Sequence, residues 1–269
     1  MNLNLYCPLL CLWLLSCNLY AQDVNCGSRL TALGNSGVAL QDVWSLQSNQ
    51  AGLAALDKPV AAIAFQNSYL NTDLSTQSAV VAYPFKNNVI GMSFQNYGFS
   101  AYNEQRIGFA YAKRFGKNVF TAMNVNVHQV KINQYGTAQT YSVEAGIQFK
   151  ANRHLLIGSH ISNPNKSGYN SQVDAVVPTL LEIGASYGFS DKLILNGGLL
   201  KDLNFLTDAR FGLEYNMAEW LALRGGINVN PFRQFAGFGC KYQRLRIDAA
   251  AASHPTLGYS PQMSLGYEF

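Results

Sequence analysis

The sequence predicts an all-β protein, a transmembrane antiparallel β-barrel of about fourteen strands with a short N-terminal plug segment on the periplasmic side. Three observations predict this fold. Only 13% of the residues are charged and 12% are aromatic, whereas roughly 25% of the residues in a soluble domain are charged. Apolar and polar residues alternate along most of the chain. Short and long connectors alternate between these segments along the chain, which is typical of outer-membrane barrels.

Residues 1–22 have the pattern of a secretory signal peptide. The apolar run Leu9–Leu15 is followed by Leu19–Gln22, which resembles a cleavage region. The run departs from the usual pattern because no Lys or Arg precedes it. A membrane anchor is an alternative, although the run is shorter than the ~20 residues that a spanning helix needs. Leu15–Cys17 also resembles a lipobox, which would make Cys17 a lipidated first residue.

Export decides how the cysteines are interpreted. Cys7, Cys11 and Cys17 fall in the predicted signal peptide, which leaves Cys26 and Cys240. The periplasm permits a disulfide bond between these two, but two cysteines so far apart define no disulfide framework. We interpret them as unpaired small apolar residues and keep pairing as the alternative.

Residues 23–57 precede the predicted barrel and do not alternate. They are rich in small residues up to Ala39, contain Asp42, and close with the motif Asn49, Gln50, Ala51, Gly52 and Leu53. This order resembles the N-terminal signature of the FadL-like outer-membrane barrel superfamily. It is more similar still to the PorV/PorQ branch in Bacteroidota, whose members have Pro where this chain has Gln50.

The resemblance implies a fourteen-stranded barrel that this segment enters from the periplasmic side as a plug or hatch. For the motif itself the alternative is a structural role. Asn49 would then cap a short helix, because asparagine is a good helix cap, and the residues after it would pack against the wall.

The barrel is predicted to occupy residues 58–269. In Val119–Val127, for example, Thr121, Met123 and Val125 lie on one face and Asn124 and Asn126 on the other. Segments of this kind give about fourteen strands of roughly ten to twelve residues, a length that suits a tilted crossing of the bilayer. The predicted spans are 59–69, 76–86, 88–97, 103–115, 118–131, 139–150, 153–162, 178–189, 192–203, 206–217, 219–230, 232–243, 245–253 and 260–269.

The connectors predict the orientation. Tight turns alternate with longer connections along the chain. We therefore assign the tight turns to the periplasm and the longer connections to the exterior. An even strand count then returns the C-terminus to the periplasm. The terminal Phe269, with Tyr267 and Leu265 on the same face, also matches the final strand by which bacterial barrels are recognised for assembly.

The polar face of the strands predicts the residues that line the lumen. The positions that we single out are Glu144, Glu182, Arg210, Glu214 and Arg224. Acids and bases are mixed, so we expect them to pair with one another and with the plug rather than to form an ion pathway. Many other lumen positions are glycine, which often marks the close approach of other backbone. We therefore expect a plugged interior.

No catalytic constellation is visible in the sequence. It contains four histidines, no pair of histidines at metal-binding spacing and no CxxC motif. The residues Gly184–Gly188 match Gly-x-Ser-x-Gly, but they lie within an alternating strand segment and not at the strand-to-helix turn of a nucleophile elbow. We predict a protein that is not an enzyme and has no cofactor or metal. The net charge of +4 is spread without a basic run, so nucleic-acid binding has no support.

Two functions remain. The resemblance to PorV/PorQ implies a subunit or docking platform of a secretion or assembly complex, such as type IX secretion, with outer-membrane lipid and other envelope proteins as partners. The resemblance to fatty-acid transporters implies passage of a hydrophobic ligand through a lateral opening. The short external connectors favour the first function, because they offer little for an external capture site.

Overall fold

The protein is a closed barrel. A computed structural model describes residues 27–169 and 177–269. Within them, fourteen antiparallel strands each bond to their neighbours in the chain, and the first pairs with the last, which confirms the predicted fold class. The predicted signal peptide, Cys17 and Cys26 lie outside the described residues.

Each strand is named by its place in the chain. The strands are β1 (Val60–Asn67), β2 (Ser75–Phe85), β3 (Asn88–Gly98), β4 (Tyr102–Phe115), β5 (Val119–Ile132), β6 (Gly136–Lys150), β7 (Leu155–Ser162), β8 (Leu180–Gly188), β9 (Leu193–Asp202), β10 (Asp208–Ala218), β11 (Leu221–Val229), β12 (Phe232–Tyr242), β13 (Leu245–His254) and β14 (Gly258–Glu268).

The alternation of the sequence sets which side chains face the lumen. In the β5–β6 pair, Asn124 lies opposite Glu144 and both are buried. The next pair, Val125 and Val143, points outward, because successive side chains of a strand project to opposite faces. A register slip of one residue would turn the carboxylate of Glu144 towards lipid, so the register is strongly specified.

Large apolar side chains cover the outer face of the barrel. Ile63, Met123 and Ile183, for example, are each more than half exposed, which is the expected condition of residues that contact lipid. Exposed aromatic rings also gather at the end of the barrel where β1 begins and β14 ends. They are Tyr83, Phe85, Tyr111, Phe115, Phe149, Phe189, Trp220, Tyr242, Tyr267 and Phe269. Aromatic rows of this kind mark a membrane interface.

The two ends of the barrel differ in their connectors. We call the end with the connectors 86–87, 116–118, 151–154, 189–192, 219–220 and 243–244 the turn end, and the opposite end the loop end. The strict alternation of tight and long connectors that the sequence predicts is wrong in detail. At the loop end the connectors 99–101, 133–135, 230–231 and 255–257 are as short as the tight turns. β6, β13 and β14 extend beyond their expected limits there, which shortens the connectors 133–135 and 255–257. Residues 68–74 and 163–179 remain long.

Residues 27–57 fold as a compact segment in the lumen, which we call the plug. It contains one short helix, α1 (Ser28–Ala32), and two 3₁₀ helices, Val43–Gln47 and Gln50–Ala55. Helix α1 contacts the wall formed by β11 to β14, whereas the second 3₁₀ helix contacts β3 to β6. The plug therefore bridges opposite sides of the barrel. Within the two described ranges, no helix has the length and apolar character needed to cross a membrane.

Candidate functional site: the plugged lumen

The two 3₁₀ helices of the plug begin at side-chain caps. The Asp42 carboxylate accepts a hydrogen bond from the Trp44 amide at 2.9 Å, and the Ser45 hydroxyl accepts one from the Asp42 amide at 3.3 Å. Asn49 caps the second helix, accepting from the Ala51 amide at 3.2 Å. Short polar side chains at these positions satisfy amides that lack a helical partner, so the segment folds into turns and not into a strand.

An arginine of the plug joins three strands through buried ion pairs. Arg29 contacts Asp42 at 2.8 Å and binds both oxygens of Glu214 on β10, at 2.8 and 3.0 Å. Arg224 on β11 then bridges Glu214 at 2.6 Å and Asp248 on β13 at 2.7 Å. We call these five residues the arginine network. Bidentate pairing fixes orientation as well as position, so the network ties α1 to the wall.

Charge balance holds this network together. Burial opposes the charge of Arg29, but the carboxylates of Glu214 and Asp42 outweigh that effect and raise the pKa of Arg29 above its ordinary value. A buried ion pair is stable only when its partners are well placed and hydrogen-bonded. Two cations, Arg29 and Arg224, meet three carboxylates here, and Arg246 lies 3.7 Å from Asp248 as a third cation.

A second group of polar contacts holds the motif that the sequence singles out. The Asn49 side chain donates to the carbonyl of Val38 within the plug at 2.8 Å and to that of Ile147 on β6 at 3.2 Å. The amide of Gln50 donates to the Glu144 carboxylate. Both side chains are fully buried. The structure thus gives Asn49 and Gln50 contacts that anchor the plug, in addition to the cap.

Glu144 is the centre of this group. Its carboxylate also accepts hydrogen bonds from Asn126 at 2.8 Å, Asn124 at 3.2 Å and Ser162 at 3.2 Å, and His160 lies 3.5 Å away. We call Gln50, Glu144 and these four partners the amide network. A proline at position 50, as in the family that the motif resembles, has no side-chain donor for Glu144. Gln50 is therefore a substitution with a specific contact.

Glu182 and Arg210 form a third, smaller group near the loop end. Arg210 contacts Asp208 at 2.8 Å and Glu182 on β8 at 3.7 Å, and it donates to the Asn35 carbonyl of the plug at 3.4 Å. The five lumen residues that we singled out are thus all buried but fall into three separate groups. Glu214 and Arg224 share one group, Glu182 and Arg210 another, and Glu144 belongs to the amide network.

Glycines of the inner wall provide the surface on which the plug lies. A Cβ added at Gly146 would collide with Asn49, one at Gly158 with the Val38 carbonyl, and one at Gly226 with the backbone of Gly34. These positions agree with the close backbone approach that the sequence predicts from its lumen glycines. Substitution at any of them requires the plug or the wall to move.

The opposite side of the lumen is apolar. The turn-end half of β1 to β5 presents small side chains inward, among them Ala62, Ala82 and Ala112, against Trp44 and Leu53 of the plug. We call this part of the inner wall the apolar sector. In it the plug is held by packing, whereas opposite it is held by ion pairs and hydrogen bonds. Two polar contacts lie nearer the loop end, where Gln47 accepts from Arg106 on β4 and donates to Ser78 on β2 at 3.1 Å.

A groove of about 420 Å³ crosses the outer face of the same strands. It exists because Ala61 and Ala79 point outward between larger neighbours such as Ile63, Phe94 and Tyr267. Its lining is almost entirely apolar. Ala62 and Val80, which contact the plug from inside, also line the groove. The groove and the apolar sector are therefore separated only by the barrel wall, which carries small side chains at this place.

The long connector 163–179 reaches the mouth at the loop end. Its Asn163 side chain donates to the Val177 carbonyl at 2.8 Å, which holds the two ends of the connector together. Burial and the nearby carboxylate of Glu104 on β4 raise the pKa of Tyr169 to about 12. Tyr169 therefore lies near Glu104 on β4.

One buried pair resembles part of a hydrolase site. His128 and Ser142 are hydrogen-bonded at 2.7 Å across β5 and β6, which the sequence pattern did not reveal because the residues are far apart in the chain. Ser142 is completely buried. Among the described residues, His128 makes no hydrogen bond to a carboxylate. The pair therefore lacks the access and the third group that an activated serine needs. No cluster of three or more metal-binding side chains occurs in residues 27–169 and 177–269.

Comparison with solved structures finds the same architecture in membrane channels. The chain resembles the Pseudomonas putida toluene transporter TodX, with a TM-score of 0.71 and 11% identity over 90% of this chain and 98% of that one. It resembles the Ralstonia pickettii toluene transporter TbuX, with a TM-score of 0.68 and 12% identity over 90% and 98%. A Pseudomonas aeruginosa FadL homologue gives 0.66 and 12% over 91% and 98%.

At these identities the similarity establishes the fold and no more. Two of the three solved neighbours are toluene transporters, and the third is a FadL homologue. No protein-family model matches the chain, and no curated protein does. The chain shares the fold of these solved structures, and the PorV/PorQ resemblance of the plug motif remains a resemblance of sequence.

Proposed function

We propose that this protein is an outer-membrane barrel through which a hydrophobic small molecule passes between the loop end and the bilayer. The observation that carries the proposal is the alignment of the apolar sector of the lumen with the apolar groove outside it. The solved neighbours that share the fold, two of them toluene transporters, support the same substrate class. In this proposal residues 1–22 are removed, residues 23–57 act as the plug, and residues 58–269 form the barrel.

The two sides of the lumen differ in what they offer an apolar ligand. Removing apolar surface from water is favourable by about 25 cal/mol per Å², and the apolar sector supplies such surface. The side lined by Glu214, Arg224 and Asp248 would have to lose its ion pairs to admit the same molecule, which is costly. A hydrophobic ligand is therefore expected to stay on the side of β1 to β5.

Passage requires the plug to yield on that side. Packing contacts are non-directional, so Trp44 and Leu53 can shift without leaving a polar group unpaired. The arginine network fixes α1 on the far wall meanwhile. In this proposal the five plug-motif residues position the second 3₁₀ helix of the plug. Asn49 and Gln50 hold the second 3₁₀ helix to β6, and Leu53 forms part of the movable apolar face.

The outer-membrane location rests on the outer surface. An apolar band surrounds the barrel, and aromatic rings are concentrated at the turn end. A signal peptide at residues 1–22 would deliver the chain to the periplasm for assembly. The turn end, where both ends of the barrel domain meet, is then periplasmic.

Uptake by whole cells tests the transport function. A Gram-negative host without its own hydrocarbon channel is supplied with the full chain, and the initial uptake of radiolabelled toluene and of a long-chain fatty acid is measured. We expect faster uptake of at least one of them than in cells with an empty vector. Equal rates for both compounds, with the barrel folded in the membrane, would rule out this function.

A matched pair of variants tests the lateral route. Ala79→Trp fills the outer groove, whereas Ala236→Trp adds the same ring to the exposed outer face of β12. We expect slower uptake for Ala79→Trp and unchanged uptake for Ala236→Trp. Equal uptake by the two variants would show that the ligand leaves by another path.

A second candidate function is a docking subunit of an envelope complex, as the PorV/PorQ resemblance implies. It is favoured by the plug, whose buried ion pairs hold the lumen shut, and by the short connectors at the loop end. The outward rings of Phe238 and Tyr242 would then contact a neighbouring protein. Native gels of gently solubilised membranes separate the candidates, since a docking subunit migrates with its partners and a transporter migrates alone.

A further inference from the structure

A small polar cavity lies at the loop end, apart from the apolar sector. Its volume is about 30 Å³, and it separates the end of α1 from β1, β12, β13 and β14. Polar side chains dominate its lining, and Tyr69 and Phe235 close it on two sides. The residues that line it are Thr31, Asn35, Gln66, Tyr69, Arg233, Phe235, Ala252, Ser253, His254 and Ser260.

Arg233 is the unusual member of this lining. Its Nε is buried, and the guanidinium has no hydrogen bond or ion pair with any of the described residues. By contrast, the buried Arg29, Arg210 and Arg224 all contact carboxylates. No Asp or Glu lines the cavity. The Nε–H group of Arg233 therefore loses hydration without gaining a hydrogen bond in return.

The surrounding groups complete an anion-binding set. The Oδ1 of Asn35 is buried and also unpaired, and the amide carries donors that a half-turn of the side chain directs into the cavity. The Ser260 hydroxyl accepts from the Tyr69 amide at 2.9 Å, which leaves its own hydrogen free to donate. Packing of Tyr69 edge-on against His254, with ring centroids 5.9 Å apart, holds this corner in place.

We propose that this cavity binds an oxyanion group, a phosphate or a carboxylate, between Arg233, Asn35 and Ser260. Arg233 supplies the charge, and an arginine guanidinium matches the geometry of such groups. The volume exceeds the 10–15 Å³ or so that one water molecule needs, but it is too small for an acyl chain. The occupant is therefore a free small anion or the head group of a larger molecule. The site is independent of hydrocarbon transport.

Binding of inorganic phosphate tests the proposal directly. The full chain is purified in a neutral, phosphorus-free detergent, and binding of radiolabelled phosphate is measured by equilibrium dialysis. We expect saturable binding of one equivalent, weakened about tenfold or more in Arg233→Gln, because hydrogen bonds to charged groups are the strong ones. Arg233→Lys, which keeps the charge, should retain part of the affinity. Arg244→Gln, an exposed arginine at the turn end, should bind like the parent chain.

Phosphorus analysis of the purified protein distinguishes the two sources of the anion. If the site holds a lipid head group, the parent chain carries about one equivalent of bound phosphorus, Arg233→Gln loses it, and free phosphate binds only after delipidation. If the anion is free, no phosphorus is retained and dialysis alone reports binding. The proposal is overturned if the parent chain neither retains phosphorus nor binds phosphate or acetate, or if Arg233→Gln and Arg233→Lys both bind as the parent does.

Discussion

At the scale of single residues, a buried carboxylate in the lumen holds the plug to the barrel wall. Glu214 accepts from Arg29 of the plug and from Arg224 of the wall, so its removal takes one carboxylate from each of two buried cations and leaves them with Asp42 and Asp248 alone. Carboxylate and guanidinium are both inaccessible to water, which makes the loss larger than for a surface pair. A few buried, ion-paired residues therefore contribute most to holding the plug in place.

Replacement of Glu214 tests how strongly its ion pairs hold the plug to the wall. Glu214→Gln should lower the free energy of plug opening by about 3–5 kcal/mol, the usual cost of removing one partner of a buried pair. Hydrogen exchange of residues 27–57 measures the change. Glu219→Gln, at an exposed turn-end position, should leave exchange unaltered. If Glu214→Gln exchanges as slowly as the parent chain, the ion pairs do not hold the plug.

Gln50 offers a second test, because it departs from the motif that it otherwise resembles. Gln50→Leu removes a donor from the buried carboxylate of Glu144 and should cost about 1.5–3 kcal/mol. Gln41→Leu removes a bond between neutral amides, 3.2 Å from Gln148, and should cost roughly half as much or less. Urea unfolding in lipid vesicles compares them. A larger loss for Gln41→Leu would contradict the role given to Gln50.

At the scale of elements, the glycines determine how closely the plug approaches the wall. Gly225 and Gly226 are neighbours on β11 with opposite orientations. A Cβ on Gly226 would collide with the Leu33–Gly34 backbone, whereas a Cβ on Gly225 would meet only the Phe235 carbonyl, at 3.8 Å. The two positions thus form an internal control.

We expect Gly226→Ala to displace the plug and Gly225→Ala to be tolerated. Displacement should appear as larger or more frequent conductance steps in planar bilayers. Deletion of residues 27–57 sets the upper limit of that conductance, since it removes the whole obstruction and leaves the strands paired with each other. A deletion variant as tight as the parent chain would show that other elements close the lumen.

At the scale of the whole molecule, the even strand count places the two ends of the barrel domain at the same end of the barrel. The amide of Phe269 donates to the carbonyl of Pro59 at 2.9 Å, so the chain closes on itself at the turn end. Both ends of the barrel domain then lie on one side of the membrane. This closure also removes the free strand edges that an open sheet would expose.

Cysteine labelling of intact cells tests the orientation. In a background with Cys26→Ala and Cys240→Ala, an impermeant thiol reagent should label Tyr135→Cys, at a loop-end position that is 84% exposed. It should not label Asn118→Cys at the turn end. Labelling of Asn118→Cys alone would invert the barrel in the membrane.

The architecture of the barrel could be predicted from the sequence, because the membrane imposes a local rule on each strand. A strand with one face in lipid must alternate, and a barrel in lipid must pair every backbone group. Fourteen strands, a non-alternating N-terminal segment and the lumen face of Glu144 or Arg224 follow from residues that are close in the chain. The connector lengths were less well predicted, because strands such as β6 continue wherever cross-strand pairing allows, beyond the end of clear alternation.

The pairing of the polar residues in the lumen depends on the tertiary structure. Arg29 and Glu214 are 185 positions apart, and no periodicity links them. The same is true of Gln50 with Glu144, and of the division of the lumen into an apolar sector and an ion-paired side. The outer groove and the unpaired Arg233 depend on side chains from several strands. Such features arise from closing the barrel around the plug, a long-range event that short-range patterns of sequence do not encode.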